Sequence, residues 1–305
     1  MQIVVAGGTG FIGRPLCAFL CQEGHQVTLL TRRREEAQRS CSPAVMAVEW
    51  NGREAGNWEH CLEGADAVVN LAGTPIADGR WTEARKRLLA ESRVLTTRLL
   101  ADAISRRTSK PHTLISASGI GYYGANDDLV LDEGATRGQG FLADLCLSWE
   151  TEAFRAAAFG LRVVVLRTGM VLERDGGALP KMLLPFQLFV GGPIMPGTQW
   201  VSWIHRRDLI GLIQWMIMTP DISGPVNAVA PEAVTMNRFC EALGRILQRP
   251  SWLCVPSFAL RVALGELGTL MTTGQRVTPA KALSGGYHFH YPTLEPALRA
   301  IMSKR

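Results

Sequence analysis

The sequence predicts an α/β protein with a doubly wound parallel sheet and a smaller C-terminal lobe. Short apolar segments alternate with amphipathic helical segments up to Arg174, and a glycine-rich stretch joins the first apolar segment to the first helical one. Beyond Arg174 this alternation weakens, while glycine and proline become more frequent. Short apolar strands that alternate with helices are typical of parallel sheets with helices on both faces.

The spacing of apolar residues assigns strands and helices in order along the chain. The predicted strands are residues 3–6, 26–30, 45–49, 67–71, 113–117 and 162–167. The predicted helices are residues 11–22, 82–105 and 142–159. We therefore expect a sheet domain over residues 1–175, continued by parts of 199–230, and a smaller substrate-covering lobe over 176–305.

The composition is that of an ordinary folded protein. Hydrophobic residues make up 47% of the 305 and charged residues 19%, which excludes an intrinsically disordered chain. No apolar run reaches the roughly 18–20 residues of a bilayer span, and the first strand follows Met1 without a signal-peptide pattern. We therefore expect a cytoplasmic protein with no membrane partner.

Charge and cysteine content exclude two further classes of protein. The net charge of +5 is modest and the arginines are scattered, unlike the clustered basic face of nucleic-acid-binding proteins. The seven cysteines include no CxxC pair, and Cys17 and Cys21 share a helix face without further metal ligands nearby. We expect free thiols in a reducing compartment, no metal site and no nucleic-acid partner.

The stretch GGTGFIG, residues 7–13, lies between the first predicted strand and the first predicted helix. In Rossmann-type dinucleotide sites, the first glycine permits a tight turn, the second lets backbone approach the pyrophosphate, and the third allows close helix–strand packing. The helix N-terminus adds unpaired N–H groups and the positive end of its dipole. We therefore predict a dinucleotide site here. The predicted contacts are Gly7, Thr9, Gly10, Phe11, Ile12 and Gly13.

The end of the second strand indicates which dinucleotide binds. NAD sites commonly place an acidic residue there to accept hydrogen bonds from the ribose, whereas this chain has Thr31 and Arg32 and no acid before Glu35. A guanidinium suits the 2′-phosphate of NADP, so Thr31 and Arg32 predict NADP(H) as cofactor. We interpret Arg34 instead as part of a solvated basic turn.

Two further segments end predicted strands at the same edge of the sheet, where ligands of open α/β sheets bind. Residues 70–73, NLAG, close one strand with Gly73, and their small side chains would let the cofactor riboses lie close. Residues 167–171, RTGMV, close a later strand. We expect both segments to lie beside the cofactor.

These motifs, together with SASGIGYYG at 116–124 and WIHRRDL at 203–209, resemble the extended short-chain dehydrogenase/reductase superfamily. LLPFQLFVGGPIMPG at 183–197 and the segment from about 250 to 301 narrow the resemblance to its atypical epimerase-like subfamily, described as sugar-nucleotide epimerases. The resemblance implies a Rossmann fold, NADP(H), and a small or nucleotide-linked substrate. It places these residues at NADP: Thr31, Arg32, Leu71, Ala72, Arg93 and Val171.

The catalytic pair of that superfamily is missing from this sequence. Its members use a tyrosine as general acid and base, with a lysine four residues later that lowers the tyrosine pKa. No lysine stands four residues after any of the chain's four tyrosines. In the corresponding window, Phe141 or Leu142 replaces the tyrosine, and Leu145 or Cys146 replaces the lysine.

Three hydroxyl groups are candidates to move a proton instead, namely those of Ser118, Tyr122 and Tyr123. Ser118 lies five positions before Tyr123, whereas the superfamily hydroxyl more often lies four before it, at Gly119. The alternative for Ser116 and Ser118 is that they line the nicotinamide pocket. The alternative for the two tyrosines is that they pack at a strand-to-loop junction.

Several other polar residues are interpreted as structural. His205 and Asp208 are predicted at a strand-to-helix junction, with Asp208 capping the helix. His288 and His290 share one face of a short strand but have no further metal ligands in register. Glu150 is predicted to be an exposed or capping acid.

Two functions therefore stay open. One is a reductase or epimerase that uses a non-standard proton donor; the other is an NADP(H)-binding protein of reduced catalytic power, with a structural or redox-sensing role. A polar cavity beside the nicotinamide would favour the enzyme. A nicotinamide face sealed by Phe141, Leu142 and Trp203 would favour the binding protein. The expected partners are a small-molecule substrate and a second copy of the chain.

Overall fold

The computed structural model describes residues 1–126 and 128–303. The strands are β1 (Gln2–Ala6), β2 (Gln26–Thr31), β3 (Val45–Glu49), β4 (Ala67–Asn70), β5 (Thr113–Gly119), β6 (Val130–Leu131), β7 (Arg162–Thr168), β8 (Met170–Glu173), β9 (Gly176–Gly177), β10 (Trp200–Val201), β11 (Trp203–His205), β12 (Gly224–Ala228), β13 (Val234–Thr235) and β14 (Arg276–Val277). The helices are α1 (Gly13–Gln22), α2 (Arg34–Ser40), α3 (Glu83–Ser105), α4 (Phe141–Phe154), α5 (Leu179–Gln187), α6 (Arg206–Met218), α7 (Met236–Leu247), α8 (Ser257–Leu264), α9 (Glu266–Leu270), α10 (Ala280–Ser284) and α11 (Leu294–Ser303). Short 3-10 helices span Asn57–Leu62, Ile120–Tyr123 and Arg155–Phe159.

Seven of these strands form one parallel sheet in the order β12-β7-β5-β4-β1-β2-β3. The order reverses beside the first strand, so the carboxyl ends of β1 and β4 border a crevice that can admit a ligand. This arrangement confirms the predicted fold class, and the six predicted strands are all present. The seventh, β12, lies in the region expected to continue the sheet, whereas α2 was not predicted.

Alternate residues of the central strands feed two cores, one on each face of the sheet. Val5 lies in the core that packs against α1 and α6, which contribute Leu16 and Ile213. Its neighbour Val4 lies in the opposite core, to which α3 contributes Leu100. Successive strand side chains point to opposite faces, so a continuously apolar strand is buried on both sides. Each such side chain stabilises the fold by about 1.5–3 kcal/mol.

The C-terminal lobe has a separate core built from α5, α7, α11 and short strands. Helix α7 contributes Met236, Phe239, Cys240 and Leu243, whose spacing puts them on one helix face. The chain leaves the main sheet after β7, forms β8 to β11, and returns through α6 to place β12 beside β7. The lobe is therefore interleaved with the sheet. Among the described helices, none is long and apolar enough to cross a bilayer.

The junction between β11 and α6 corrects the predicted role of Asp208. The cap of α6 is His205, whose Nδ1 accepts a hydrogen bond of 3.0 Å from the backbone N–H of Arg207. The fully buried Asp208 carboxylate instead accepts backbone N–H groups of His290 at 2.7 Å and Tyr291 at 2.9 Å. Burial raises the pKa of Asp208, although these two N–H groups favour its ionised form. Asp208 thus fastens the C-terminal segment to the first turn of α6.

Replacing Asp208 with alanine is expected to lower the free energy of unfolding by about 2–4 kcal/mol. The variant leaves two backbone N–H groups without acceptors in a buried position, where one unsatisfied group costs about 1–3 kcal/mol. Urea unfolding followed by circular dichroism measures the change. The exposed Glu91→Ala variant on α3 is the control and should stay within about 0.5 kcal/mol of wild type. Equal stabilities of the two variants would contradict the assigned role of Asp208.

Candidate dinucleotide and active site

The carboxyl ends of the central strands bring the predicted site segments to one edge of the sheet. Residues 7–13 follow β1, Thr31 ends β2, and residues 71–73 follow β4. Ser116 and Ser118 lie in the last four residues of β5, the strand that pairs with β4. These predicted residues therefore border the crevice beside β1, where the strand order reverses.

Three of the four glycines in residues 7–13, namely Gly7, Gly10 and Gly13, have different surroundings. Gly7 has φ of +78°, and a Cβ there would lie 2.7 Å from the carbonyl carbon of Leu71. A Cβ on Gly13 would overlap the carbonyl oxygen of Gly7, so this glycine permits α1 to start close to β1. Within the part of the chain that the structure describes, a Cβ on Gly10 would meet only the Gly7 carbonyl oxygen, at 3.3 Å. Gly7 and Gly13 thus shape the turn, while Gly10 leaves space in front of it.

Residues from later in the chain, on β9 and α6, hold the glycine loop in place. Phe11 packs against Gly176 and Gly177 of β9 so closely that a Cβ on Gly176 would overlap its ring. The guanidinium of Arg206 lies 5.0 Å from the centre of the Phe11 ring, and its Nη2 forms an ion pair of 3.3 Å with Glu173. These contacts hold the loop through Phe11 and leave the space beside Gly10 open.

The remaining loop residues and Val171 have distinct settings. Thr9 is exposed, whereas Ile12 is half-buried against the core beneath α1. Val171 on β8 is half-buried, and a Cβ on Gly177 would lie 3.0 Å from its carbonyl oxygen. Val171 therefore lies near the side of the loop on which Phe11 packs.

At the end of β2, Thr31 is buried and its Oγ1 accepts the backbone N–H of Arg33 at 3.2 Å. Arg32 is exposed and has no hydrogen-bond or ion-pair partner in the described parts of the chain. Arg33, in contrast, pairs with Glu36 at 3.0 Å. Arg34 is exposed, but it begins α2 and is not part of a turn. Arg32 is thus a free guanidinium beside the crevice.

Beyond β4, the segment 70–73 is held by α3. Asn70 donates to Thr97 at 2.8 Å and accepts the backbone N–H of Ala72 at 3.2 Å. A Cβ on Gly73 would lie 3.2 Å from the guanidinium carbon of Arg93, so Gly73 admits this side chain. Leu71 is partly buried against the core beneath α1.

Arg93 and Ser116 are buried polar groups with unused bonding capacity. Arg93 donates to the carbonyl oxygens of Leu89 at 3.2 Å and Thr74 at 2.8 Å, but its Nε has no partner within the described residues. Burial lowers the pKa of Arg93 to about 10. The Oγ of Ser116 is likewise buried and unpartnered there. Both residues therefore keep one polar atom whose hydrogen-bonding capacity is not used within the described chain.

A buried ion pair lies beneath the end of β5 and corrects the prediction for Glu150. Arg167 on β7 donates two hydrogen bonds to Glu150 on α4, at 2.9 and 2.8 Å, and both side chains are at least 95% buried. Ser118 donates its hydroxyl proton to the same carboxylate at 2.7 Å. Burial alone would lower the pKa of Arg167, but the hydrogen bonds and charge of Glu150 raise it. Glu150 is thus neither exposed nor a cap.

A sequence signal for this position existed. Ala143, Cys146, Glu150 and Ala153 are all buried and follow the three- and four-residue spacing of one helix face. An acid within a buried stripe requires a cationic partner, and Arg167 in a buried strand was available. The pairing itself depends on the packing of α4 against β5 and β7.

The two neighbouring tyrosines have different environments. Tyr123 is fully buried; its hydroxyl donates to Asn227 at 2.7 Å and accepts from Arg167 at 3.1 Å. Burial raises the pKa of Tyr123, although Arg167 opposes this shift. Tyr122 is half-buried, the guanidinium of Arg167 lies 3.4 Å from its ring centre, and its hydroxyl has no partner in the described chain. Only the Tyr122 hydroxyl, of these two, is free to meet a ligand.

The segment in which the superfamily carries its catalytic tyrosine and lysine, residues 141–146 here, is apolar around the replaced positions. Phe141 begins α4 and packs edge-on against Trp81, and a Cβ on Gly121 would lie 3.0 Å from Leu142. Leu145 is buried in the same cluster. Burial raises the pKa of the Cys146 thiol to about 11, so this cysteine is uncharged near neutral pH. Trp203 lies elsewhere, fully buried in the core of the C-terminal lobe.

The parallel sheet and the glycine loop place this chain in the class of Rossmann-type dinucleotide-binding proteins. A family model described as "NAD dependent epimerase/dehydratase family" matches residues 3–229, and one described as "Domain of unknown function (DUF1731)" matches residues 255–301. The chain belongs to the NAD-dependent epimerase/dehydratase family. This confirms the resemblance to epimerase-like short-chain dehydrogenases/reductases.

Individual relatives agree over the full chain. A chloroplastic SDR39U1 homolog of the epimerase family from Arabidopsis thaliana is 41% identical over 99% of this chain and 87% of its own. Epimerase family protein YfhF of Bacillus subtilis is 39% identical over 100% of this chain and 99% of its own. The crystal structure of human epimerase family protein SDR39U1 with NADPH superposes with a TM-score of 0.86 at 33% identity, covering 100% of both chains.

Proposed function

We propose that this protein is an NADP(H)-dependent oxidoreductase or epimerase acting on a small or nucleotide-linked substrate. The observation that carries the proposal is that an open glycine loop and the half-buried Tyr122, whose hydroxyl has no partner in the described chain, lie at the carboxyl edge of one sheet. A bound nicotinamide would supply hydride transfer at its C4 atom. The chain itself must supply binding, orientation and a proton donor.

The residues at the crevice fit such a cofactor. The space in front of Gly10 lets backbone approach a pyrophosphate, and the free Arg32 guanidinium suits a 2′-phosphate. The unpartnered Nε of Arg93 and Oγ of Ser116 can bond polar groups of the nicotinamide half. The human relative crystallised with NADPH supports the choice of NADP(H).

Replacing Arg32 with alanine is expected to weaken NADP(H) binding by roughly 10- to 150-fold, because a charge-assisted contact is worth about 1.5–3 kcal/mol. NAD(H) lacks the 2′-phosphate, so its affinity should hardly change. Titration calorimetry with both dinucleotides measures the difference. Arg34→Ala is the matched control, since Arg34 is also exposed but begins α2, and it should leave both affinities unchanged. Equal wild-type affinities for NADP and NAD would contradict the role of Arg32.

Tyr122 is the proton donor that we propose. Tyr123 is enclosed and its hydroxyl is engaged by Asn227 and Arg167. The Ser118 proton is already donated to Glu150, so the Ser118 oxygen is better placed to accept than to donate. Tyr122 keeps both a free hydroxyl and partial exposure. General acids of this kind must come within about 2.6–3.2 Å of the substrate oxygen.

A second candidate function is a cofactor-binding protein of reduced catalytic power. It is favoured by the apolar Phe141 and Leu142 in the window of the missing pair, and by the engagement of Ser118 with Glu150. Such a protein would bind NADP(H) for a structural or redox-sensing purpose.

A substrate survey distinguishes the two functions. The purified protein is incubated with NADPH and a panel of aldehydes, ketones and nucleotide sugars, and with NADP⁺ and alcohols, while absorbance at the NADPH band is followed. Chromatography of the nucleotide sugars detects epimerisation, which leaves the cofactor unchanged overall. Turnover that needs NADP(H) supports the enzyme. Tight NADP(H) binding without any turnover supports the binding protein.

A further inference from the structure

The segment matched by the domain of unknown function lies against the turn that carries Tyr122. We infer that this C-terminal segment, through Gln275, positions the Tyr122 turn for proton transfer. The inference rests on the proposed function, because it gives Tyr122 a chemical role. Gln275 does not touch the reacting atoms in this scheme; it acts through the backbone of the turn.

The direct contact is a buried hydrogen bond. The Nε2 of Gln275 donates to the carbonyl oxygen of Gly124 at 2.6 Å, and Gln275 is 8% exposed. Gly124 ends the 3-10 turn Ile120–Tyr123 with φ of +65°, and a Cβ there would lie 2.8 Å from the backbone nitrogen of Gln139. The turn thus reverses in a conformation that needs glycine, and Gln275 satisfies its buried carbonyl group.

The backbone around Gln275 is itself held by two other parts of the chain, Ser202 and strand β6. Ser202 donates its hydroxyl to the carbonyl oxygen of Gln275 at 2.7 Å and accepts the backbone N–H of Val277 at 2.9 Å. Strand β14 pairs in parallel with β6, just beyond the tyrosine turn. The Gln275 side chain is therefore presented from a rigid support.

A second path joins the segment to the same turn. Asn227 on β12 accepts the Tyr123 hydroxyl at 2.7 Å and donates to the carbonyl oxygen of Thr278 at 2.9 Å. Val277 is 1% exposed and packs in one apolar cluster with Tyr123, against which Tyr122 also packs. Residues 275–278 thus hold the two residues that follow Tyr122: Tyr123 through Asn227, and Gly124 directly. The backbone on the C-terminal side of Tyr122 is therefore fixed.

The test uses the full-length Gln275→Leu variant, which removes the donor and keeps a similar side-chain size. Gln199→Leu is the matched control: Gln199 is also 8% exposed, and its Nε2 donates to the carbonyl oxygens of Ile194 and Met271 at 3.0 and 3.3 Å, away from the turn. Hydrogen exchange by mass spectrometry reports peptides 119–126 and 7–13. Calorimetry reports NADPH affinity, and steady-state kinetics with a compound from the survey reports kcat.

We expect Gln275→Leu to speed exchange in 119–126 by roughly 5- to 150-fold, as follows from leaving one buried carbonyl unsatisfied. Exchange in 7–13 and NADPH affinity should stay at wild-type values, while kcat falls without a change in the KM for NADPH. Gln199→Leu should leave exchange in 119–126 and kcat unchanged.

Three results would overturn the inference: unchanged exchange in 119–126, faster exchange there with an unchanged kcat, or the same changes in the Gln199→Leu control. A wild-type protein that turns over no compound would instead count against the proposed enzyme. In that case the exchange of residues 119–126 alone decides whether Gln275 holds the turn, so the two failures are distinguishable.

Discussion

Replacing Tyr122 with phenylalanine is expected to lower turnover by about 10²–10⁴-fold, the usual contribution of a general acid or base. The ring stays under the guanidinium of Arg167, so packing is retained while the free hydroxyl is lost. NADPH affinity should not change, because the predicted cofactor contacts lie outside this side chain. Steady-state kinetics on a substrate from the survey, with calorimetry of NADPH, measures both quantities.

Tyr123→Phe is the informative comparison for that experiment. It removes the bond to Asn227 and the bond from Arg167, so it should reduce stability by about 1–3 kcal/mol. It keeps the Tyr122 hydroxyl, and its folded fraction should turn over much faster than Tyr122→Phe. Wild-type rates in both variants would end any tyrosine role and leave Ser118 or a water molecule as the donor.

Replacing Gly10 with valine is expected to abolish NADP(H) binding while the fold survives. Among the described residues, the one atom that a Cβ at Gly10 would meet is the Gly7 carbonyl oxygen, at 3.3 Å, so the added side chain extends mainly into open space beside the loop. That space is where backbone must approach a pyrophosphate. Calorimetry should detect no binding, and circular dichroism should show a wild-type spectrum.

Two other glycine variants make this result specific. Gly13→Val should destabilise the protein itself, because even its Cβ would overlap the Gly7 carbonyl oxygen. Gly56 is exposed in the loop between β3 and the 3-10 helix Asn57–Leu62, and among the described residues a Cβ there would be near Trp58, at 3.6 Å. Because this loop lies outside the glycine motif, Gly56→Val should bind NADP(H) normally. Retained cofactor in Gly10→Val would remove the glycine loop from the binding site.

Much of the fold and of the cofactor crevice could be predicted because both depend on local requirements. A parallel strand buried on two faces must be apolar throughout, so β1 to β5 and β7 were visible as short apolar segments. The seventh strand, β12, begins Gly-Pro and has only a short apolar stretch, so only its region was foreseen. Helix α2 was missed because its seven residues are mostly charged and exposed.

The structural roles of acidic residues were the main errors. Asp208 was expected to cap α6, yet His205 holds that position, and the carboxylate binds backbone of a segment 82 residues further on. Glu150 was expected to be an exposed or capping acid, yet it is buried and bonds Arg167 and Ser118. A carboxylate can accept from any donor that packing brings near it, so its partner cannot be read from neighbours in sequence.

The sequence by itself determined the first strand, the glycine loop that follows it and the place of Arg32 after β2, because a tight turn and a phosphate contact need particular residues at short spacing. It also showed that the usual tyrosine–lysine pair is missing. Only the tertiary structure decided which hydroxyl stays free. Tyr122 and Tyr123 are adjacent in sequence, but Asn227 and Arg167, more than 40 residues away, engage one hydroxyl and leave the other unbound. Burial and long-range hydrogen bonds, which follow from packing, gave two side chains of identical chemistry different environments.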